Sequence, residues 1–582
     1  MHTEEILVTK SPKGDIQVES SCVPAYGAAA RLESIRISNF KGVNDTVEIQ
    51  FRPITLFFGN NSAGKSSVIQ AIQYALEILE GKNLDPGMVE TRSGGIDLGK
   101  FANVVHGHDL NKEIGLAFEF STLVDSKPAE QWVLEFRVKW SEKVGGPVIS
   151  YYKVDLGGEP VAEFSTSDPL DANDEGKLSI NVRHPKFMPN DSIEVGGDPI
   201  QSLVKEDLLG KIIKSIDTRN PGEGKFGEGK LIGVMLEYAL KSTVIKPKKY
   251  NFYPEETYSV VFSAPGFDLL RKWKDHKYFR AWQDASRVGA VIETDSIKDF
   301  FKIDQFCNNG LDILAKEIVV RPLEFLLISL QKFVFLGPIR EIPPRNFVAS
   351  RQIQDVRWMS GLSAWNRLAN SDDSFVGKVS GWLRDDKKLD SGYAVRVKRS
   401  KLVDVAAQEF VELWKDSGQQ GVWEKAKEFF DKLAVQLEVN IIKEENGLEI
   451  ELLPLDVGTG ISQVIPVVVS ALGGRDRVVS IEQPELHLHP RMQARLADLF
   501  IEAVKDKDIN NWFLLETHSE HLALRLQRRV REKKMAPNDI SIIFFSCGPN
   551  GTTVNPIRLD DEGDFMDDFP GGFFPERLDE LC

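Results

Sequence analysis

One short segment constrains the fold of this chain more than any other. The apolar run at residues 51–58 leads directly into Gly59-Asn-Asn-Ser-Ala-Gly-Lys-Ser-Ser67, and a helical pattern of apolar residues follows from Val68 to Leu79. The sequence G-x-x-x-x-G-K-S between a strand and a helix is typical of a phosphate-binding loop, or P-loop. Its glycines let the backbone approach phosphate closely, and the helix start presents positive dipole ends. We therefore expect a nucleotide site formed by Gly59, Asn60, Asn61, Ser62, Ala63, Gly64, Lys65, Ser66 and Ser67.

Two side chains of this loop have distinct expected roles. The Lys65 ammonium can reach the outer phosphates of a nucleotide, and the Ser66 hydroxyl can bind Mg²⁺. The loop therefore predicts a nucleoside triphosphate and Mg²⁺ as ligands.

A strand-like run near the other end of the chain supplies candidate catalytic residues. Residues 477–481 are mostly apolar and end in Glu482-Gln483-Pro484-Glu485. An acidic residue at the end of such a strand holds Mg²⁺ in P-loop enzymes. Roughly 400 residues separate Glu482 from Lys65, so the two halves of one site are expected to bracket a large insertion.

Two further segments are candidates for phosphate contacts. Gly458 and Gly460 form a turn that leads through Ser462 into an apolar helical stretch, so a helix N-terminus is expected there. The strand-like run that begins at Trp512 ends in polar residues, and one of these, His518, is placed to hydrogen-bond a γ-phosphate.

These segments together resemble a known family. The turn at Asn39–Gly42, the P-loop, the glycine turn at residues 458–463, Glu482–Glu485 and Thr517–Glu520 are similar, in sequence and in order, to the ATPase heads of the SMC-like branch of the ABC superfamily. The resemblance is strongest to bacterial AAA ATPases related to the OLD (overcoming lysogenisation defect) proteins. It covers residues 31–140 and 331–582, and the tail from Phe569 resembles a small C-terminal domain of unknown function found in one subgroup.

The resemblance implies a fold and a mode of action. The fold would be α/β, a two-lobed ABC/SMC-like P-loop ATPase head with a mixed sheet, interrupted by a large α+β insertion. Two copies would close around ATP and Mg²⁺, with Ser462 of one copy touching the γ-phosphate held by the other. His518 would act as the switch histidine.

The chain departs from the family at two catalytic positions. Glu482 stands where the family has a metal-associated Asp, and Gln483 stands where it has the Glu that activates water. A neutral amide can orient water but cannot take its proton. Either Glu485 or another carboxylate is then the base, or hydrolysis is slow, which would suit a protein that uses ATP to hold a dimer closed.

Composition excludes several classes of protein. The net charge of −15 and the pI of about 5.3 do not suit a chain coated with nucleic acid, so any such contact needs a local basic patch. No apolar run approaches the roughly 18 residues of a membrane span. The N-terminus does not have the pattern of a secretory signal, and the four scattered cysteines do not predict a disulfide framework or a zinc ribbon. A cytoplasmic location is expected.

The sequence predicts six regions along the chain. They are a leader (1–30), an N-terminal ATPase lobe with the P-loop (31–140), an insertion that is irregular and then helical (141–330), a helical segment with a hairpin (331–450), a C-terminal ATPase lobe (451–547) and a small tail domain (548–582).

Other charged clusters allow alternative interpretations. His487, His489, His518 and His521 have spacings seen in metal sites, although structural histidines are more common. The acidic run at residues 560–568 is a candidate nuclease metal site or a solvated loop. Basic residues cluster at residues 525–534, 393–401 and 246–249, where they would bind phosphate or face solvent; Arg340 and Arg345 would approach the nucleotide or join the lobes.

Three functions fit these observations. The first is an ATP-driven conformational switch, a homodimer or higher oligomer, acting in bacterial anti-phage defence with a separately encoded effector such as a nuclease. The second is a DNA-repair or chromosome-maintenance head that contacts nucleic acid. The third is a nuclease regulated by ATP.

Overall fold

The computed structural model describes residues 29–79, 85–86, 98–124, 127–142, 145–165, 177–181, 259–262, 321–345, 347, 349, 358–415, 422–572 and 574. Most of the predicted insertion, the leader before residue 29, the end of the tail and the basic cluster at residues 246–249 lie outside these residues.

An eight-stranded antiparallel sheet forms much of the N-terminal region. Residues 114–120 and 132–140 alternate in polarity, as strands with one buried face do, and they pair with Leu134 opposite Phe118. The order is β2-β1-β4-β5-β6-β7-β8-β9. The strands are β1 (Ala29–Ser38), β2 (Val47–Gln50), β4 (Ile114–Val124), β5 (Lys127–Ser141), β6 (Gly146–Leu156), β7 (Glu159–Ser165), β8 (Lys177–Asn181) and β9 (Ser259–Phe262). The strands from β6 onward lie in the range predicted as an insertion, and they extend this sheet rather than forming irregular chain.

A second sheet of six strands carries the P-loop. Its order is β10-β14-β15-β3-β16-β17, with the first five strands parallel and β17 antiparallel to β16. The strands are β3 (Ile54–Gly59), β10 (Phe333–Leu336), β14 (Val478–Glu482), β15 (Trp512–Glu516), β16 (Ile540–Gly548) and β17 (Gly551–Ile557). The parallel strands are short continuous apolar runs because both faces are covered. The five parallel strands come from segments that are far apart in sequence. Because they run in the same direction, their C-terminal ends lie at one edge of the sheet.

Two hydrophobic cores lie on the two faces of this sheet. Along β3, Phe57 faces the core shared with the eight-stranded sheet, whereas Leu56 and Phe58 face the other core. The helices are α1 (Lys65–Leu79), α2 (Phe101–Val104), α3 (Arg321–Gln331), α4 (Leu362–Asn370), α5 (Asp373–Arg384), α6 (Gln408–Lys415), α7 (Val422–Lys432), α8 (Thr459–Leu472), α9 (Pro490–Lys505) and α10 (Glu520–Arg531). Helices α1 and α3 contribute to the first core, and α4, α5, α8, α9 and α10 contribute to the second.

A three-stranded antiparallel sheet joins the middle of the chain to the second core. Its strands are β11 (Tyr393–Lys401), β12 (Val435–Glu445) and β13 (Leu448–Leu452). Asn446 and Gly447 both have positive φ, at 55° and 79°, which is the geometry of a two-residue hairpin turn. The hairpin predicted at this Asn-Gly pair is confirmed.

The α/β class with a mixed sheet is therefore confirmed for the described residues. None of the described helices has both the length and the apolar character needed to cross a membrane.

Candidate nucleotide site

The P-loop lies where the sequence predicts it, between the end of β3 and the start of α1. Gly59 has φ 131°, and a Cβ there would lie 2.1 Å from the carbonyl oxygen of Phe545 on β16. Gly64 has φ 100°, and its Cβ would lie 2.5 Å from Oγ1 of Thr552 on β17. Both positions therefore require glycine for conformation and for space. The hairpin of β16 and β17 supports the loop from outside.

The two functional side chains of the loop both contact one carboxylate. Lys65 is only 3% exposed, and its Nζ donates to the carbonyl oxygens of Gly59 and Asn60 at 2.9 Å each. The same Nζ lies 3.8 Å from Oε1 of Glu516. The Ser66 hydroxyl donates to Oε2 of Glu516 at 2.8 Å. Glu516 is thus part of the site.

Parallel pairing brings Glu482 to the same edge. Glu482 pairs with Glu516 in the register of β14 and β15, and Glu516 pairs with Phe57 of β3, two residues before the P-loop. Glu482 was predicted as a site residue and is placed here, whereas Glu516 was not assigned a role. The signal for Glu516 was its position at the end of a predicted buried strand.

The ionisation of Glu482 responds to its surroundings at this edge. Burial raises the pKa of Glu482 to about 7, and the negative charge of Glu516 adds to the effect, while Arg340 and Lys65 oppose it. Burial lowers the pKa of Lys65, and the charges of Glu516 and Glu482 oppose that change. A further cation bound at this edge would favour the ionised form of Glu482, as a nearby opposite charge does.

Arg340 joins three parts of the site. It lies in the loop after β10, is 2% exposed, and donates to the carbonyl oxygens of Glu482 at 2.8 Å and Gln483 at 3.0 Å. It also donates to the carbonyl oxygen of Gln463 on α8 at 3.3 Å, and its backbone exchanges hydrogen bonds with the Gln463 side chain. Burial lowers the pKa of Arg340 to about 10, so it is a buried cation at neutral pH. The sequence predicts that Arg340 either approaches the nucleotide or joins the lobes. Its described contacts connect the end of β14 to α8.

Glu485 and His518 form a second link at the strand ends. Oε1 of Glu485 accepts from the backbone N–H of His518 at 2.8 Å. Burial raises the pKa of Glu485, and hydrogen bonds from His518 and Thr517 oppose the change. The pKa of His518 is lowered by partial burial and then by the charge of Lys65. These contacts give Glu485 a positioning role, and its predicted service as a base stays a prediction.

Gln483 has an unusual backbone conformation. Its φ is 47°, in the left-handed region, and its N–H donates to the carbonyl oxygen of Glu516 at 2.7 Å. This bond extends the pairing of β14 and β15 by one residue beyond Glu482. The backbone of Gln483 is therefore held at the strand edge, and its predicted place as the substitute for a catalytic Glu stays a prediction.

The glycine turn before α8 is exposed only at its beginning. Gly458 and Thr459 are exposed, whereas Ser462 is 1% exposed and its hydroxyl donates to the carbonyl oxygen of Pro454 at 2.6 Å. A Cβ on Gly460 would lie 2.5 Å from the carbonyl oxygen of His487, so the turn packs tightly against the loop after β14. The predicted contact of Ser462 with a second copy stays a prediction, and Thr459 carries the accessible hydroxyl.

The alternative metal sites find little support. The described residues include the four histidines at positions 487, 489, 518 and 521. Among the described residues, no group of three or more His, Cys, Asp or Glu side chains could hold a metal ion. Carboxylates of the acidic run contact their own chain: Asp560 accepts from the backbone of Asp564, and Asp567 accepts from Arg558 at 2.7 Å. These contacts favour a structured surface loop over a nuclease centre.

The described basic clusters are largely neutralised within the chain. On α10, Arg525 and Arg529 both donate to Asp498, and Arg528 donates to Glu532. Arg396 and Arg399 of β11 pair with neighbouring carboxylates. Such pairs reduce the charge available for phosphate, so these surfaces do not favour nucleic-acid binding. Arg345 pairs with Asp456 near the glycine turn.

The donor set at the strand edge fits Mg²⁺. Ser66 and Glu482 offer oxygen atoms, which are the ligands that Mg²⁺ prefers. A divalent cation there would also stabilise the ionised form of Glu482. Ser66 and Glu482 are the predicted metal residues, and Glu516 lies beside them as the acceptor of the Ser66 hydroxyl.

A parallel sheet with a P-loop, a buried lysine and strand-end carboxylates defines the class of nucleoside-triphosphate-binding P-loop proteins. The sequence matches the family described as AAA ATPase domain over residues 31–218 and 387–523, which is more than half of the chain. The chain belongs to this family and is an ATPase of the AAA class.

Solved structures of SMC heads are similar to this chain at low scores. One, titled as the SmcHead bound to the C-winged helix domain of ScpA, has a TM-score of 0.34 and 12% identity, and covers 91% of this chain and 98% of its own. A second, from Pyrococcus furiosus and bound to the C-terminal domain of ScpA, has a TM-score of 0.33 and 14% identity, and covers 91% and 96%. The SMC head from Thermotoga maritima has a TM-score of 0.32 and 9% identity, and covers 91% and 100%. Scores this low carry no inference about function. No curated protein matches the chain.

Proposed function

We propose that this ATPase is a nucleotide-dependent conformational switch that hydrolyses ATP slowly. The observation that carries the proposal is the meeting of Lys65, Ser66, Glu482 and Glu516 at one sheet edge, with Gln483 where a proton acceptor is expected. Lys65 neutralises phosphate charge, while Ser66 and Glu482 hold Mg²⁺. The metal supplies further neutralisation of the phosphates. Gln483 orients water but does not take its proton. Hydrolysis is therefore slow, and the closed state with bound ATP is long-lived.

Arg340 is the route by which the nucleotide edge affects the rest of the chain. Its guanidinium contacts the backbone of Glu482 and Gln483, and also that of Gln463 near the start of α8. A shift of the strand end on binding therefore moves or stiffens the glycine turn. Because Gly458 and Thr459 are exposed there, this turn is the surface that a second copy would use.

The proposed closed state is a homodimer with ATP between the two copies. The N–H groups and the Thr459 hydroxyl at the start of α8 would face the phosphates held by the other copy, because a helix N-terminus attracts anions. A separately encoded effector would then act when the dimer closes or opens. From the family resemblance, we propose anti-phage defence as the setting.

Analytical ultracentrifugation with ATP, with ADP and without nucleotide tests the closed dimer. We expect dimer only with ATP, and none for Lys65→Ala. Thr459→Glu is the sharper variant, because an acidic residue in the first turn suits the helix but repels a phosphate presented by a second copy. This variant should bind ATP as a monomer. Dimerisation of Thr459→Glu with wild-type affinity would refute the proposed interface.

The defence role has its own test. Plaque formation by phage is compared between cells that carry the chain with its neighbouring genes and cells in which the chain has Lys65→Ala. Protection by the wild type alone supports the proposal. Equal plaque numbers would remove the defence role and leave the switch untouched, and hydrolysis stimulated by added DNA would instead favour a chromosome-maintenance role.

A further inference from the structure

Glu516 occupies a position that the proposed mechanism leaves without a function. It ends β15, the strand between β14 with Glu482 and β3 with the P-loop. Its side chain is only 11% exposed. A buried carboxylate carries a desolvation cost unless it is paired, so its partners explain how it is tolerated.

Those partners are the two side chains that would bind the nucleotide. Oε2 of Glu516 accepts from the Ser66 hydroxyl at 2.8 Å, and Oε1 lies 3.8 Å from Nζ of Lys65. A nucleotide that takes Lys65 for its phosphates must therefore place those phosphates close to the Glu516 carboxylate. Glu482 adds a second carboxylate at the same edge.

The charge balance of that encounter depends on the metal. A triphosphate without metal brings negative charge against two carboxylates, and Lys65 is the P-loop cation that faces them. A triphosphate that carries Mg²⁺ brings two positive charges to the same place, and the Ser66 hydroxyl and the Glu482 carboxylate are oxygen donors that suit the ion.

We propose that Glu516 makes the P-loop selective for magnesium-bound nucleotide over metal-free nucleotide. The inference rests on the proposed nucleotide site and adds a specificity-determining residue to it. In the described state, Glu516 contacts both Ser66 and Lys65. The negative charge of its carboxylate weakens the binding of a triphosphate that carries no Mg²⁺.

Coulomb's law sets the size of the effect. Two like unit charges about 6 Å apart, at an effective dielectric constant of about 20, change a binding constant by about a hundredfold. Counter-ions and small rearrangements reduce this, so removal of the Glu516 charge should strengthen metal-free binding about tenfold.

Isothermal titration calorimetry with the non-hydrolysable analogue AMP-PNP tests the inference on the full chain. The dissociation constant is measured with excess Mg²⁺ and again with EDTA, and the ratio of the EDTA value to the Mg²⁺ value is the readout. Glu516→Gln removes the charge while its amide oxygen can still accept from Ser66. Glu516→Asp keeps the charge and shortens the side chain. Glu444→Gln makes the same chemical change on the exposed hairpin of β12.

The expected pattern separates charge from shape. Glu516→Gln should lower the ratio about tenfold, mainly through tighter binding in EDTA, while Glu516→Asp and Glu444→Gln stay within about threefold of the wild type. Melting temperatures close to that of the wild type confirm that the variants fold. If Glu516→Gln folds poorly, Glu516→Asp still tests the inference. Because Asp keeps the negative charge, a large fall in its ratio of dissociation constants would contradict a role based on charge.

Three results would overturn the inference. One is an unchanged ratio in folded Glu516→Gln. Another is a ratio that falls because binding in Mg²⁺ becomes weaker, since Glu516 would then hold the metal rather than reject the free nucleotide. The third is a wild type that does not bind AMP-PNP with Mg²⁺ or with EDTA. This third result would also refute the nucleotide site, whereas the first two results would not.

Discussion

Replacement of Glu482 by Gln should stabilise the nucleotide-free protein, with a gain that grows as the pH rises from about 4.5 to 7. In the folded chain, burial and the charge of Glu516 raise the pKa of Glu482 from its ordinary value of 4.5 to about 7. Between these two values, the folded state binds more protons than the unfolded state. The free energy of unfolding therefore falls as pH rises from 4.5 to 7, and the full loss is present above pH 7.

The size of the loss follows from the two pKa values. The difference between 4.5 and about 7 corresponds to about 3 kcal/mol at pH 8 and to almost nothing near pH 4. Gln stays neutral throughout this range, so Glu482→Gln avoids the loss. At about 2–4 °C per kcal/mol for a domain of this kind, its melting temperature should exceed that of the wild type by roughly 6–12 °C at pH 8.

Thermal unfolding in EDTA, followed by circular dichroism at pH 5 and pH 8, measures this difference. Glu444→Gln, at an exposed position of β12, controls for the general loss of one negative charge. A shift in melting temperature that is equal at both pH values would refute the reasoning, because it would mean that ionisation of Glu482 carries no cost. The same variant should bind MgATP less tightly, since the ionised carboxylate is a metal donor.

Three further variants test other parts of the site. Lys65→Ala should weaken ATP binding at least about a hundredfold, because it removes the buried cation that faces the phosphates; an unchanged dissociation constant in calorimetry would refute the P-loop assignment. Gln483→Glu should raise the turnover number in a phosphate-release assay about tenfold or more if a missing base limits hydrolysis, and an equal or lower rate would place the base elsewhere. Arg340→Met should cost about 3–5 kcal/mol in denaturant unfolding, because it leaves buried carbonyl groups and nearby carboxylates without their cation; a loss below about 1 kcal/mol would show that these contacts are replaceable.

The P-loop was predictable because all of its determinants are contiguous. A buried strand, two glycines with special backbone requirements, Lys65 and the start of a helix follow one another within about twenty residues. The hairpin at Asn446–Gly447 was predictable for the same reason, since the turn residues and both strands are neighbours in sequence.

Glu516 was missed because its role depends on the order of strands. Its segment was recognised as a buried strand with a polar end, but only the pairing of β15 with β3 brings its carboxylate to Ser66, about 450 residues away in sequence. Strands β16 and β17 were missed too, although β16 lies beside the P-loop strand. Parallel neighbours come from distant segments, so periodicity along the chain does not determine their order.

The position of Ser462 within α8 bears on its predicted contact with a second copy. Helix α8 begins at Thr459, which makes Ser462 its fourth residue, and the residues that follow it are buried continuously to Leu472. A hydroxyl one turn into such a helix faces its own chain, and here it satisfies the Pro454 carbonyl. The free N–H groups of a helix belong to its first turn. Gly458 and Thr459 precede Ser462 and are exposed, so we propose them as the groups that reach a phosphate held by another copy. The same reasoning explains why Arg340 bonds to Gln463, because the inner face of α8 begins at these residues and connects the exposed turn to the end of β14.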